Sequence, residues 1–261
     1  MIIAGIDIGS LSSKAVLLQY NRILSYVILP TGAESRRAAE NVFDSALNIA
    51  GVPREKIRMV VATGYGRISV PFADRQVTEI TCHGRGALFI LPDTRTVIDV
   101  GGQDSKVIRV DDRGRVEDFA MNDKCAAGTG RFLEVMARAL ETDLEGFNKL
   151  AGTAKRAVTV SSVCTVFAET EVISLISQGT PREEIARGLC SAVAERIVAL
   201  VNRVGLIEKV TMTGGVAKNR SVVAEISRRL GVNIAVPPEP QIIGALGAAL
   251  VARDFMAQPN R

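Results

Sequence analysis

Aromatic residues are scarce in this 261-residue chain, which has no tryptophan and an aromatic content of 4%. Proteins that bind single-stranded nucleic acid stack the bases on aromatic rings. The 32 basic and 28 acidic residues leave a net charge of +4, and no stripe of basic residues is evident. Because both the stacking rings and a basic surface are missing, we expect no nucleic-acid partner.

Long hydrophobic runs and cysteines are also few. The longest apolar stretch, IIGALGAALVA at 242–252, is too short to span a bilayer, and the opening MIIAGIDIGS has no basic segment before its apolar residues. We therefore expect a cytoplasmic protein with no membrane partner. Four cysteines in a chain of this length do not resemble the disulfide framework of a small secreted domain, so metal or redox roles are expected for them.

Two common nucleotide-binding signatures are missing, since neither GxxxxGK[ST] nor a GxGxxG that opens a helix occurs. A different glycine turn occurs twice instead. Residues 7–14 and 99–106 share the pattern D-[IV]-G-x-x-x-S-K, and each leads from β-branched residues into a strand, a polar turn and a second strand. The repetition predicts two similar half-domains.

Both repeats have the chemistry of a phosphate-binding loop. Glycine lets backbone N–H groups approach an anion, and serine and lysine add a hydroxyl donor and a cation. A carboxylate at the strand end can hold Mg²⁺ through water or orient an attacking water. Taken singly, each loop also fits an ordinary hairpin turn, but the repetition favours the phosphate interpretation.

A third glycine turn, at 214–215, follows a strand predicted at 210–213. It precedes an amphipathic helix that should run from Asn219 to a stop before Gly231. A double glycine in this position is a packing device in many α/β proteins. As the third member of the set, it suits the base and ribose of a nucleotide. After it, the sequence predicts a short strand, a proline-stiffened loop and a closing helix.

Two of the four cysteines lie in similar surroundings. The segments NDKCAAGTGRFLE (122–134) and SSVCTVFAETEVI (161–173) each place one cysteine in a polar turn before a stretch with helical periodicity. Thr129 is a candidate cap for the first helix, and the second should end at Gly179. Free N–H groups and the positive dipole end at a helix start favour the thiolate form of such a cysteine. Buried structural cysteines are the alternative.

The other two cysteines have a different context. Cys190 lies in a long predicted helix, where core packing is the expected role. Cys82 stands beside His83, which is the one histidine of the sequence. Packing is favoured for Cys82 as well, over a role in metal or redox chemistry.

A family resemblance covers essentially the whole chain. The sequence resembles the ATP-dependent activators (component A) of 2-hydroxyacyl-CoA dehydratases and the ATPase subunits of benzoyl-CoA reductase, a family of the BadF/BadG/BcrA/BcrD type. The segments that carry the resemblance are GIDIGSLSSK, ATGYGR (62–67), TVIDVGGQDSKVI, NDKCAAGTGRFLE, SSVCTVFAETEVIS and MTGGVAKN.

The resemblance implies the α/β fold of the superfamily that contains actin, sugar kinases and heat-shock chaperones. Such proteins have two ribonuclease-H-like domains with ATP in the cleft between them. The first half should comprise residues 1–94 and the second 95–240. A closing helix at about 241–261 should pack back on the first half.

In that family two subunits share one [4Fe–4S] cluster, and each subunit gives two cysteines. Carried onto this chain, the ligands are Cys125 and Cys164. The resemblance implies a homodimeric, oxygen-sensitive ATPase that passes a low-potential electron from ferredoxin or flavodoxin to a partner iron–sulfur dehydratase or reductase. A small-molecule kinase of the same fold without a cluster is the main alternative. A nucleotide-dependent assembly protein of the actin type is another.

The three glycine turns define the expected nucleotide site. We expect Asp7 and Asp99 to hold Mg²⁺, mostly through waters, and Gln103 and Asp104 to position the hydrolytic water. A role as strand-end turn formers is the alternative for the three carboxylates. The residues expected to bind the phosphates and adenosine of ATP or ADP are Gly9, Ser10, Ser12, Ser13, Lys14, Gly101, Gly102, Gly214, Gly215, Lys218 and Gln241.

Overall fold

The structure is a computed structural model, and it describes residues 1–160 and 164–257. Within these ranges ten strands form two five-stranded sheets. The first sheet has the order β3-β2-β1-β4-β5, built from β1 (Ile2–Ile8), β2 (Ser12–Gln19), β3 (Arg22–Pro30), β4 (Ile57–Thr63) and β5 (Arg75–Gln76). The second has the order β10-β9-β6-β7-β8, built from β6 (Thr96–Val100), β7 (Ser105–Val110), β8 (Val116–Asn122), β9 (Val210–Thr213) and β10 (Ile234–Ala235).

The sequence repeat becomes a structural repeat. In each sheet three consecutive strands pair antiparallel through hairpins, and a later strand joins the first of them in parallel. Asp7 pairs with Lys14 across β1 and β2, and Asp99 pairs with Lys106 across β6 and β7. The predicted strand–turn–strand repeat is therefore confirmed. The boundaries at 1–94, 95–240 and 241–261 stay predictions, and residues 258–261 of the last range lie outside the described residues.

Eight helices of the described chain flank the sheets. Local signals explain where they begin and end: α7 starts at Asn219, whose side chain accepts the N–H of Val222, and stops at Gly231 with φ of 69°. The helices are α1 (Ser35–Ala50), α2 (Glu79–Ile90), α3 (Gly130–Ala139), α4 (Leu144–Thr153), α5 (Thr165–Ser177), α6 (Arg182–Val204), α7 (Arg220–Leu230) and α8 (Ile243–Ala257).

Helix α8 is buried along most of its length and packs on β1, β2 and β4, with α2 alongside it. Glycines make this approach possible. A side chain at Gly247 would place its Cβ only 1.7 Å from the Cys82 carbonyl oxygen, and one at Gly5 would meet the Ala245 carbonyl at 1.9 Å. Backbone-to-backbone packing therefore fixes α8 against the first sheet and α2 against α8.

Cys82 and Cys190 lie in the hydrophobic cores, as expected. Burial raises the pKa of each thiol to about 12. Both are therefore protonated and unreactive at neutral pH. No helix within residues 1–160 and 164–257 is both long enough and apolar enough to cross a membrane.

Candidate active site

A cleft of about 870 Å³ opens between the two sheets. The first loop (residues 9–12) and the second loop (101–104) border it from their respective sheets, and the 214–215 turn borders it beside the second. Nearly all residues expected at the nucleotide site line this cleft: Asp7, Gly9, Ser10, Ser12, Lys14, Asp99, Gly101, Gly102, Gln103, Asp104, Gly214, Gly215, Lys218 and Gln241.

Ser13 is the exception. Its side chain is fully buried, and its hydroxyl shares a hydrogen bond of 2.9 Å with that of Thr31, which donates to the Gly9 carbonyl at 2.7 Å. Successive side chains of a strand point to opposite faces, so Ser12 and Lys14 face the cleft while Ser13 faces away. The Ser13 side chain therefore supports the first loop from behind and does not line the cleft, and the expected role of Ser13 in phosphate binding stays a prediction.

The two loops fold in the same way. The Gly9 N–H donates to the Ser12 carbonyl at 3.1 Å, and the Gly101 N–H donates to the Asp104 carbonyl at 3.0 Å. In the first loop the Lys14 ammonium lies 3.2 Å from Asp7 Oδ2 and donates to the Ser12 carbonyl at 3.0 Å. The first loop is therefore followed by a cation, Lys14, which has one ion-pair partner and borders the cleft.

The second loop holds a denser group of charges. The Lys106 ammonium lies 2.8 Å from Asp104, 3.3 Å from Asp99 and 3.4 Å from Glu79, and its side chain is 1% exposed. Thr213 donates its hydroxyl to Asp99 Oδ1 at 2.8 Å, and His83 Nδ1 lies 3.3 Å from the same oxygen. Three carboxylates thus surround one ammonium, which leaves an excess of negative charge at this end of the cleft.

The environment shifts the pKa values of this group, and it keeps Asp99 and Lys106 charged. Burial alone would raise the pKa of Asp99, but His83, Lys106 and the Thr213 hydrogen bond outweigh it and lower the pKa to about 2. Burial would lower the pKa of Lys106, yet the neighbouring carboxylates raise it. Burial raises the pKa of Glu79, opposed by Lys106. The Asp99–Lys106 pair is therefore ionised across the physiological range.

The sequence interpretation did not assign Glu79, His83 or Thr213 to the site. Glu79 and His83 are spaced i, i+4 on α2, and both border the cleft. That spacing puts them on one face of the helix, which the sequence alone could have indicated. Their approach to Asp99 depends on how α2 packs against β6 and β9, for which no local signal exists.

The 214–215 turn requires glycine because its backbone passes close to the end of β6. Gly214 has φ of 83°, and a side chain there would place its Cβ 2.3 Å from the Val100 carbonyl oxygen and 2.9 Å from Asp99 Oδ1. Only glycine allows the backbone to pass so close to this carboxylate. Lys218, expected at adenosine, pairs with Glu239 at 2.9 Å on the rim of the cleft.

The two candidate ligand cysteines lie at the starts of neighbouring helices. Cys125 is half-buried between β8 and α3, and Cys164 is exposed and occupies the N-cap position of α5. Helices α3 and α5 pack against each other. Residues 161–163, which open the second cysteine segment, lie outside the described residues. No group of three or more His, Cys, Asp or Glu side chains in the described chain is arranged to hold a metal ion by itself.

The start of α3 differs from expectation. The Gly130 and Arg131 N–H groups donate to the Gly101 and Gly102 carbonyls at 2.9 and 2.8 Å, so they are not free to face an anion. Thr129 occupies the N-cap position, but its hydroxyl donates to the Ala126 carbonyl and caps nothing. The structural reason is that α3 abuts the second loop, whose carbonyls take these donors.

Comparison with known proteins identifies the family. The model of the BadF/BadG/BcrA/BcrD ATPase family matches residues 4–252. The chain belongs to this family. It is therefore an ATPase and binds ATP, as the resemblance implied.

Known relatives are similar in sequence to this chain over nearly its whole length. The activator of lactoyl-CoA dehydratase from Anaerotignum propionicum is 49% identical, over 95% of this chain and 96% of the relative. A benzoyl-CoA reductase subunit from Thauera aromatica is 32% identical, over 95% of this chain and 92% of the relative. The similarity therefore extends from dehydratase activators to a component of a reductase, and it is greater for the activator.

Solved structures give the same result. Component A of the Acidaminococcus fermentans (R)-2-hydroxyglutaryl-CoA dehydratase superimposes with a TM-score of 0.95 at 44% identity, covering 99% of this chain and 100% of that one. The Clostridium difficile activator of 2-hydroxyisocaproyl-CoA dehydratase, with bound ADPNP, gives 0.92 at 43% identity, covering 100% and 99%. A hexokinase from Thermus thermophilus, at 0.54 and 18% identity over 98% and 100%, shares the fold. The predicted actin-like and sugar-kinase-like α/β fold is confirmed.

Proposed function

We propose that the chain is one half of a homodimeric iron–sulfur ATPase that couples ATP hydrolysis to the transfer of a low-potential electron onto a partner iron–sulfur enzyme. The observation that carries the proposal is the direct link between the nucleotide cleft and a candidate ligand. The second loop accepts two backbone hydrogen bonds from the first residues of α3, and Cys125 stands shortly before that helix.

The thiols suit one half of a cluster site. A [4Fe–4S] cluster is held by four cysteine thiolates. Cys125 and Cys164 are free and accessible to different degrees, whereas Cys82 and Cys190 are buried. One chain therefore supplies two ligands, and a closed twofold dimer supplies four by symmetry. The cluster would provide the redox centre, and the chain positions its cysteines at the ends of two packed helices.

The charges in the cleft suit a magnesium nucleotide. Mg²⁺ prefers oxygen ligands and keeps several of its waters. Asp7 and Asp99 stand at the ends of equivalent strands, and the carboxylates around Lys106 exceed its charge. With no ready-made cage among the described residues, the ion would be held through waters and the phosphates. Gln103 and Asp104 in the second loop would then face the attacking water.

Coupling requires that ATP and ADP differ in their affinity for two arrangements of the molecule. Loss of the γ-phosphate changes what the second loop binds, and α3 is hydrogen-bonded to that loop. A shift of the loop therefore moves the start of α3 and the Cys125 segment. In the dimer, this displacement would alter the surroundings of the cluster and its access to the partner.

The partner is best sought among dehydratases that act on 2-hydroxyacyl-CoA substrates, because the identity to a dehydratase activator (49%) exceeds that to a component of benzoyl-CoA reductase (32%). Benzoyl-CoA reductase-like enzymes and double-cubane-cluster proteins are the further acceptors of this class. Ferredoxin or flavodoxin would supply the electron. Co-purification under nitrogen with neighbouring gene products would identify the acceptor.

The cluster can be tested by composition. Protein purified without oxygen should contain about four iron and four sulfide per dimer and show thiolate-to-iron absorption. Cys125→Ser and Cys164→Ser should each lose the cluster, while Cys190→Ala, which alters a buried thiol, should retain it. A protein that binds no iron after anaerobic reconstitution, or that keeps its cluster in both serine variants, would refute the proposal.

A further inference from the structure

His83 lies between the two aspartates of the repeat. Its Nδ1 is 3.1 Å from Thr213 Oγ1 and 3.3 Å from Asp99 Oδ1. Its Nε2 lies on the other side of the ring, close to Gly244, because a side chain at Gly244 would place its Cβ 3.0 Å from this nitrogen and 3.2 Å from Asp7 Oδ2. The imidazole, which is 5% exposed, therefore contacts Asp99 directly and has Asp7 on the far side of Gly244.

The hydrogen bonds define which nitrogen carries the proton. The Thr213 hydroxyl has one hydrogen, and it donates this to Asp99 Oδ1 at 2.8 Å. Its oxygen must then accept from His83, so Nδ1 carries the hydrogen and points at the Thr213–Asp99 pair. Imidazole and hydroxyl together fix one oxygen of Asp99.

The other oxygen of Asp99 is held separately. Lys106 donates to Oδ2 at 3.3 Å, so the carboxylate is fixed by donors from three elements, β9, α2 and β7. Glu79, on the same face of α2 as His83, pairs with Lys106 at 3.4 Å. Helix α2 thus supplies His83, which contacts Asp99, and Glu79, which pairs with the Lys106 that also holds Asp99.

We propose that His83 is a positioning residue for ATP hydrolysis, which holds the carboxylate of Asp99 in orientation. The way in which Asp99 faces a bound Mg²⁺ nucleotide would then depend on a side chain that acts through Asp99. Loss of such supporting groups lowers metal affinity or activity by roughly 10–100-fold. The inference uses the ATPase activity of the family and is independent of the cluster.

Two amide replacements separate positioning from packing. In His83→Asn the amide group lies near the position of Nδ1, whereas in His83→Gln it extends toward the position of Nε2. We measure kcat and KM for ATP on protein that lacks the iron–sulfur cluster. On the same protein we measure ADP binding by calorimetry at a series of Mg²⁺ concentrations. Cys82→Ala, which removes a buried neighbour on the same helix, is the control for loss of packing.

For His83→Gln and His83→Ala we expect kcat to fall by roughly 10–100-fold and the Mg²⁺ requirement for tight ADP binding to rise by a similar factor. KM for ATP should change by less than about threefold, because the interactions that bind ATP equally in the ground state and the transition state are unchanged. His83→Asn should recover most of the loss. The proposal would be overturned if all three variants had the same kcat and the same Mg²⁺ dependence as the wild type. It would also be overturned if His83→Asn were as impaired as His83→Gln. If His83→Ala does not fold, the Asn and Gln pair still decides.

Discussion

The two half-domains place the same motif in different surroundings. Asp7 and Lys14 have the same cross-strand register as Asp99 and Lys106. Lys14 has one carboxylate within pairing distance and a side chain 12% exposed, whereas Lys106 has three and is 1% exposed. The two half-domains therefore share the backbone arrangement of the motif but differ in the number of charged groups around its lysine.

The difference has two sources. Asp104 stands in the second loop where the first loop has Ser12, and α2, which follows the first sheet in sequence, presents Glu79 and His83 to the Asp99–Lys106 pair. Among the described residues, Asp7 is the one carboxylate within ion-pair distance of Lys14. The repeated strand–turn–strand unit therefore supplies two equivalent backbones, and a loop aspartate together with a connecting helix makes one of them the buried, strongly charged end. The first loop stays simpler and more exposed.

The largest expected effect is on stability. Lys106→Met should leave three carboxylates near one another without a buried cation, and removal of one partner from a buried ionic group costs about 3–5 kcal/mol. Lys14→Met should cost less than this, because it leaves one carboxylate rather than three without a cation, and that pair borders the open cleft. Urea unfolding of both variants without nucleotide measures the difference. Equal losses would mean that the two halves are energetically equivalent despite their geometry.

Acid unfolding gives the next largest difference. The folded-state pKa of Asp99, about 2, is below the ordinary 3.8, so its ionised form stabilises the fold above pH about 4. This contribution of about 2 kcal/mol is lost as the pH falls from about 4 toward 2. Asp99→Asn should therefore flatten the pH dependence of stability in that window. An unchanged slope between wild type and variant would contradict the assignment, and Asp7→Asn provides the matched measurement for the first half.

Much of this comparison was accessible from the sequence. The β-branched runs and glycine turns at 7–14 and 99–106 predicted both hairpins because strand periodicity and turn chemistry are local properties. The Asn219 and Gly231 signals located α7 for the same reason. The alternation of side chains along β2 could likewise have indicated that the Ser13 side chain faces away from the cleft.

The contacts between distant elements could not be predicted from the sequence, because they depend on how the helices pack. The contact between His83 and Asp99 joins residues from α2 and β6, and the contact between Gly130 and Gly101 joins α3 to a loop that precedes it by two strands. Both arise from the angles at which helices meet the second sheet. A motif predicts which residues bind phosphate, whereas the groups that contact those residues from other elements carry no motif.

The smallest expected change in stability accompanies the most specific test of coupling. The test uses the hydrogen bonds from the start of α3 to the second loop, because Cys125 lies in the segment just before that helix. Gly130→Ala would place a Cβ 3.1 Å from the Gly101 carbonyl oxygen and 3.5 Å from Gly102 Cα, which must lengthen the hydrogen bonds between α3 and the loop. The readout is the alkylation rate of Cys125 with and without nucleotide, in cluster-free protein carrying Cys164→Ser. Cys82 and Cys190 are buried and react slowly.

If the link transmits nucleotide state, ADP and a non-hydrolysable ATP analogue should change the alkylation rate by about fivefold or more, the equivalent of about 1 kcal/mol of coupling. Gly130→Ala should reduce that ratio to near one while nucleotide affinity stays within about threefold. Gly152→Ala is the matched control, since its Cβ would meet only the Ser221 hydroxyl at 3.9 Å. A full nucleotide response in Gly130→Ala would show that coupling bypasses α3, and it would leave the two loops different in charge but equivalent in what they transmit.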